Sequence, residues 1–229
     1  MGTNKNIDAV YYRDGVSQPT AMAVLVNARR SMFELFLREL RPSETTTILD
    51  IGVSDEENEG ANFLEKSYPF RRNLTCAGIG DGEAVRKAYP EVRYRRITPN
   101  EPLPFSDGEF DIACSNAVLE HVGGREQRQR FIREHLRVAR SVFITVPNRW
   151  FPIEHHTRLP LLHYWPAMFR RILASTRYAY WTEPVRLEFL DAHTILCEWP
   201  VERKPKIMTT GLPLGPLSSN LAIIWNAGA

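Results

Sequence analysis

Thr46–Gly52 (TTILDIG) and Leu103–Val122 (LPFSDGEFDIACSNAVLEHV) decide how this chain is read. The first is a short apolar run that ends in Asp-x-Gly. The second is a turn at Asp107-Gly108, another apolar run and the opening of a helix. Short apolar runs bounded by turn residues read as buried strands. Working outward, Thr20–Leu40 carries Met22, Val24, Leu25, Met32, Leu35, Phe36 and Leu40 at helical spacing, and Pro42 ends it. The chain then alternates: strand Thr46–Ile51, helix Ala61–Ser67, strand Leu74–Ile79, helix Gly82–Ala88 and strand Val92–Ile97. Strand Phe110–Ser115, helix Arg125–Val138 and strand Ser141–Val146 follow. Such alternation predicts a parallel sheet covered on both faces.

From Pro147 the pattern changes. Trp150–Arg171 is aromatic, rich in His and broken by Pro152, Pro160 and Pro166, which predicts an insertion packed over the strand ends. Helices are expected at Pro166–Leu173 and Arg186–Trp199. The last two strands are expected at Lys206–Thr210 and Leu221–Trp225, joined by a Gly/Pro/Ser turn over Gly211–Asn220.

Strand–Asp-x-Gly followed by LPF-x-DG-x-FD and LEHV resembles the class I S-adenosylmethionine-dependent methyltransferases, in particular the methyltransferase type 11-like subgroup. The resemblance spans Thr46–Asn226 and weakens after Pro166. It implies a Rossmann-like, doubly wound α/β fold: a mostly parallel seven-stranded sheet with a C-terminal antiparallel hairpin. It also implies methyl transfer from S-adenosylmethionine. Residues 1–229 are read as a single methyltransferase domain, with 1–42 an N-terminal arm and helix and 147–200 a substrate-side insertion and helices.

Composition narrows the function classes. A net charge of +2 gives no electrostatic case for broad binding to nucleic acid or anionic membranes. No stretch approaches the ~18 apolar residues that span a bilayer, and the N-terminus has no apolar signal core. Cys76, Cys114 and Cys197 are odd in number and lack metal-ligand spacing, so a reducing, cytoplasmic setting is expected. The NPPY/DPPY-type motif of amino-group nucleic-acid methyltransferases is missing. A small-molecule acceptor, methylated on oxygen or nitrogen, is the expectation. A catalytically inactive binding or assembly module with the same fold is the alternative.

In an open α/β sheet, ligands bind outside the carboxyl ends of the strands at the topological switch point. The loop after the first strand stands there, with Asp50, Gly52, Val53 and Asn62 as cofactor candidates. Of the alternating glycines usual in the family only Gly52 is present, and an acidic run, Asp55-Glu56-Glu57, follows. Acid suits a sulfonium cofactor and disfavours a pyrophosphate, which argues against a dinucleotide. The family's ribose-binding acid at the end of the second strand is replaced by Gly80, with Asp81 one place later. Asp81 reads either as a displaced ribose partner or as a helix cap. No Asp follows the third strand; Thr98 or Asn100 stands where the adenine would be met. Small residues Ser115, Asn116 and Ala117 at the fourth strand leave room for the methionine part.

His121, in the EHV pattern, either borders the substrate pocket or is structural. Methyl transfer from a sulfonium is an in-line displacement that needs alignment and often a base. His156 and Glu154, in the Pro-rich segment PNRWFPIEHHTR, are the candidate bases; the alternative is that they hold the loop through backbone hydrogen bonds. His155 and His156 point in different directions in an extended loop, and no third ligand is evident, so no metal is expected.

Overall fold

The computed structural model describes residues 10–12 and 19–228. The part of the N-terminal arm that precedes the helix therefore lies almost wholly outside the described residues. Seven strands form one sheet: β1 (Ile48–Ile51), β2 (Leu74–Gly78), β3 (Arg93–Arg96), β4 (Phe110–Asn116), β5 (Ala139–Pro147), β6 (Lys206–Leu214) and β7 (Leu217–Asn226). Their order is β3-β2-β1-β4-β5-β7-β6. Pairs among β1–β5 are parallel, whereas β7 runs antiparallel to both β5 and β6. The expected doubly wound sheet with a closing antiparallel hairpin is present, and its switch point lies between β1 and β4.

Helices α1 (Pro19–Leu40), α2 (Phe63–Ser67), α3 (Glu83–Ala88), α4 (Arg125–Val138), α5 (Pro166–Leu173) and α6 (Ala192–Glu198) cover the faces. All four residues of β1 and all five of β2 are buried, as a sheet sandwiched between helices requires. β3 lies at the edge and is rich in exposed arginine, a sequence that discourages further strand pairing. α4 buries Arg128, Ile132, His135 and Val138, one stripe at helical spacing. Its Arg128 meets Glu198 of α6 through two hydrogen bonds of 2.8 and 2.6 Å, tying the two helices together.

Two expectations need correction. The helix read at Arg186–Trp199 begins only at Ala192, because Asp191 caps it by accepting the Thr194 N–H at 2.8 Å. Residues before it are drawn into the loops above the sheet: Glu188 donates its N–H to Glu120, and Leu190 accepts from Arg149. The final turn is also far shorter than Gly211–Asn220. β6 and β7 pair as far as Leu214 and Leu217, with an irregularity between Thr210 and Pro213 absorbing the glycine and proline.

Candidate active site

The carboxyl ends of β1 and β4 open into a cavity of about 970 Å³, roofed by α1 and bounded by the insertion after β5. That volume lies at the upper end of small-molecule sites, roughly 300–1,000 Å³, and has room for a nucleoside-sized cofactor beside an acceptor. The half formed by the loops after β1 and β4 is built largely from backbone. Gly52 adopts φ +95°, and a Cβ there would lie 2.3 Å from Val118 Cγ2, so only glycine fits this close approach. Asn62 clamps the loop: its amide accepts the Ser54 N–H at 2.9 Å and donates to the Ser54 carbonyl at 3.0 Å. Ala117 is left-handed at φ 57° and donates its N–H to Thr145, turning the chain into the cavity after β4.

Most of the expected cofactor residues come together here. Asp50, Gly52, Val53, Asn62, Thr98, Ser115, Asn116 and Ala117 all line the cavity, as does Asn100. Ser115 is buried with its hydroxyl unpartnered among the described residues, a polar atom left for a ligand. Asp50 is buried against Glu65, and burial followed by that second carboxyl pushes its pKa well above the ordinary range. Glu65 also accepts from the Cys76 thiol at 3.0 Å. No sequence signal marked this buried glutamate.

Gly80 and Asp81 do not line the cavity. A Cβ at Gly80 would collide with the Asp55 carboxylate, which occupies that space and accepts the Gly82 N–H at 3.2 Å. Asp81 is exposed, and its carboxylate accepts the Glu83 N–H at the start of α3. Gly82, not Asp81, stands at the cap position of α3; Asp81 lies one residue before it and accepts the first helical N–H. Asp111 is structural, its carboxylate accepting from the Thr47 N–H and hydroxyl.

The other half of the cavity is a network of side chains. Between Ile153 and Pro160, which form an isolated antiparallel bridge, the chain makes a tight loop around Glu154. The Glu154 carboxylate accepts from the backbone N–H groups of His156 and Thr157, the Thr157 hydroxyl and His156 Nδ1, the last at 2.7 Å. Burial raises its pKa, but His156 and these hydrogen bonds outweigh burial and hold it down to about 2. Such a saturated carboxylate matches the alternative reading, a residue that holds the loop through backbone hydrogen bonds, and it orients His156. It fixes His156 so that Nε2 faces the cavity.

That nitrogen stands 3.2 Å from His121 Nε2. His121 in turn directs Nδ1 to the Arg186 carbonyl at 2.6 Å, and burial, then His156, hold its pKa down to about 3. Trp181 packs against both rings, with centroids 4.5 Å from His156 and 5.9 Å from His121. Tyr11 meets the His156 ring edge-on at 5.5 Å. Glu120, 1% exposed, comes within 3.8 Å of His121 Nε2 while neither of its oxygens has a hydrogen-bond partner among the described residues. Burial raises its pKa to about 7. His155 does diverge from His156, as expected, and packs against Phe151. The expectation of no third ligand near His156 is corrected, since ligating atoms of Glu120, His121 and His156 lie within 4.8 Å of one another. They come from loops after different strands, so no local spacing announces them. Arg29 of α1, also unmarked in the sequence, lines the same cavity with a buried Nε that has no hydrogen-bond partner among the described residues.

Comparison with known proteins agrees with this architecture. Residues 75–142, from β2 into β5, match the family model described as a methyltransferase domain. A SAM-dependent methyltransferase from Aquifex aeolicus is 14% identical, with 95% of this chain and 96% of that one covered and a TM-score of 0.52. A SAM-dependent methyltransferase from Thermotoga maritima is 13% identical over 94% and 97%, with a TM-score of 0.57. A complex of a Haloferax volcanii protein with the Trm112 methyltransferase activator gives a TM-score of 0.60 at 11% identity, over 100% and 98%. No curated protein matches in sequence. At these identities the structural likeness is one of fold. The matched segment is that of a methyltransferase domain, and the fold is the one these S-adenosylmethionine-dependent methyltransferases share. No helix among the described residues is long and apolar enough to cross a membrane.

Proposed function

We propose that this chain methylates an oxygen or nitrogen of a small molecule. The observation that carries the reading is a single cavity with the Gly52 loop and Ser115–Ala117 on one side and the His121–His156 pair on the other. S-adenosylmethionine supplies an electrophilic methyl group carried on a sulfonium. Asp50, Gly52, Val53 and Asn62 would hold it at the β1 loop, Thr98 at the adenine end, and Ser115, Asn116 and Ala117 beside the methionine part. The buried, unpartnered Ser115 hydroxyl and the glycine-only approach at residue 52 fit such a ligand. The chain's own contribution is alignment and exclusion of water. His156, oriented by Glu154, presents Nε2 to receive a proton from the acceptor, and α1 closes the cavity above it.

Three unpaired cysteines, two of them buried, support a reducing, cytoplasmic setting. A catalytically inactive binding or assembly module remains the second reading, favoured by the absence of any acid at the end of β2 that lines the cavity. Calorimetric titration with S-adenosylmethionine and S-adenosylhomocysteine separates the two. Micromolar binding followed by acceptor-dependent release of S-adenosylhomocysteine supports the enzyme; no binding at millimolar ligand in folded protein overturns it.

A further inference from the structure

We infer that Glu120, His121 and His156 form a binding site for a divalent transition-metal cation on the acceptor side of the cavity. The argument starts from the protons. His121 Nδ1 faces a backbone carbonyl and His156 Nδ1 faces a carboxylate. Both partners only accept, so both Nδ1 atoms carry hydrogen and each Nε2 offers a lone pair. These lone pairs meet at 3.2 Å, and no hydrogen bond joins them unless a further proton is added. The Glu120 carboxylate beside them is buried and unpartnered among the described residues. Three electron-pair donors converging on one point, without a donor to satisfy them, is the arrangement a cation resolves.

The spacing and surroundings fit a metal. Two imidazole nitrogens bound at ~2.0–2.1 Å to a tetrahedral ion stand roughly 3.3 Å apart, close to the observed separation. Each histidine already has the outer partner that metal-ligating histidines require: the Glu154 carboxylate for His156 and the Arg186 carbonyl for His121. Both partners fix the ring so that Nε2 is the ligating atom. Two histidines and one carboxylate are the donor set of catalytic zinc and of non-haem iron centres, and they leave coordination positions open. All three side chains line the cavity, so the open positions face the space for an acceptor. An acceptor with a hydroxyl or other hard oxygen is the class such a site would hold. A bound cation would take the Nε2 lone pair of His156, so in a metal-loaded protein that nitrogen would be a ligand and not the proton acceptor. The site's existence is independent of the proposed function, and its role in holding an acceptor rests on that reading.

Chelator-treated full-length protein would be titrated with Co²⁺, and Zn²⁺ and Mn²⁺ measured by competition. One equivalent of Co²⁺ binding, with visible absorption bands of a nitrogen-ligated ion, is expected. His156→Ala and Glu120→Gln, each checked for an unchanged fold by circular dichroism, should abolish those bands or weaken affinity at least about 100-fold. Glu154→Gln keeps every ligand and should weaken affinity about 10- to 100-fold. Absence of bands in the wild-type protein at millimolar Co²⁺, or equal binding in His156→Ala, overturns the inference. A bound metal in a protein that does not bind S-adenosylmethionine would instead count against the proposed function alone.

Discussion

The two halves of the cavity are built in opposite ways. Around Gly52, Asn62 and Ala117 the walls are backbone, shaped by left-handed residues and one amide clamp. Around His121, His156 and Glu154 they are buried ionisable side chains held by hydrogen bonds across loops that follow β4 and β5. The difference teaches where each half is vulnerable: the first to added volume, the second to lost charge or a lost donor.

Adding volume should have the largest effect. Gly52→Val meets both a positive φ and the Val118 side chain, so S-adenosylmethionine affinity should fall about 100-fold or more, measured by calorimetry. Unchanged affinity would show that the loop does not approach the cofactor. On the other side, His156→Ala should leave cofactor affinity within about twofold yet lower turnover by roughly 10²–10⁴. If cofactor affinity fell equally, the two halves would not be separable. Glu154→Gln should be milder, about 10- to 100-fold in turnover, because the imidazole loses an orienting charge rather than its own nitrogen.

Acid should act on the second half. His121 is held down to about 3 and His155 down to about 4, chiefly by burial, against an ordinary value of 6.5. Between those values only the unfolded chain takes up the protons, so stability falls as pH drops from 6.5 toward 4. Glu120, raised from 4.5 to about 7, acts oppositely: its contribution is full below 4.5 and is lost as pH rises through about 7. In metal-free protein, Glu120→Gln should therefore steepen the fall of Tm on acidification; an unchanged slope would mean that the carboxyl is not protonated in the fold. The smallest effect belongs to Asp81→Ala. It should change cofactor affinity by less than about twofold and stability by no more than about 0.5 kcal/mol, through the lost hydrogen bond to the Glu83 N–H.

The same contrast explains what the sequence made legible. The strands could be read because apolar runs and turn residues are local, and the mostly parallel sheet with its closing antiparallel hairpin followed from the resemblance. Gly52 and Ser115–Ala117 were legible because they sit at strand ends whose place in such a sheet is fixed. Asp81 could be read two ways because a one-residue shift at a strand end reverses direction, and nothing local announced that the Asp55 carboxylate fills the space beside Gly80. Glu120, Glu65 and Arg29 were not legible because each looks like an ordinary charged residue on a helix or turn. Their burial is set by segments remote in sequence: the Glu120–His121 turn meets His156 at a separation of 35 residues. Glu154 was found for its chemistry, but its saturation by four donors depends on the closed loop from Ile153 to Pro160.

Trp181 gives the site an optical consequence. Its indole is 1% exposed and packs, tilted, against both imidazoles, with centroids 4.5 and 5.9 Å away. Buried away from water, it should emit toward the blue. A charge or a paramagnetic ion arriving between the rings would quench that emission, so the protein's own fluorescence would report occupancy of the pocket without an added dye.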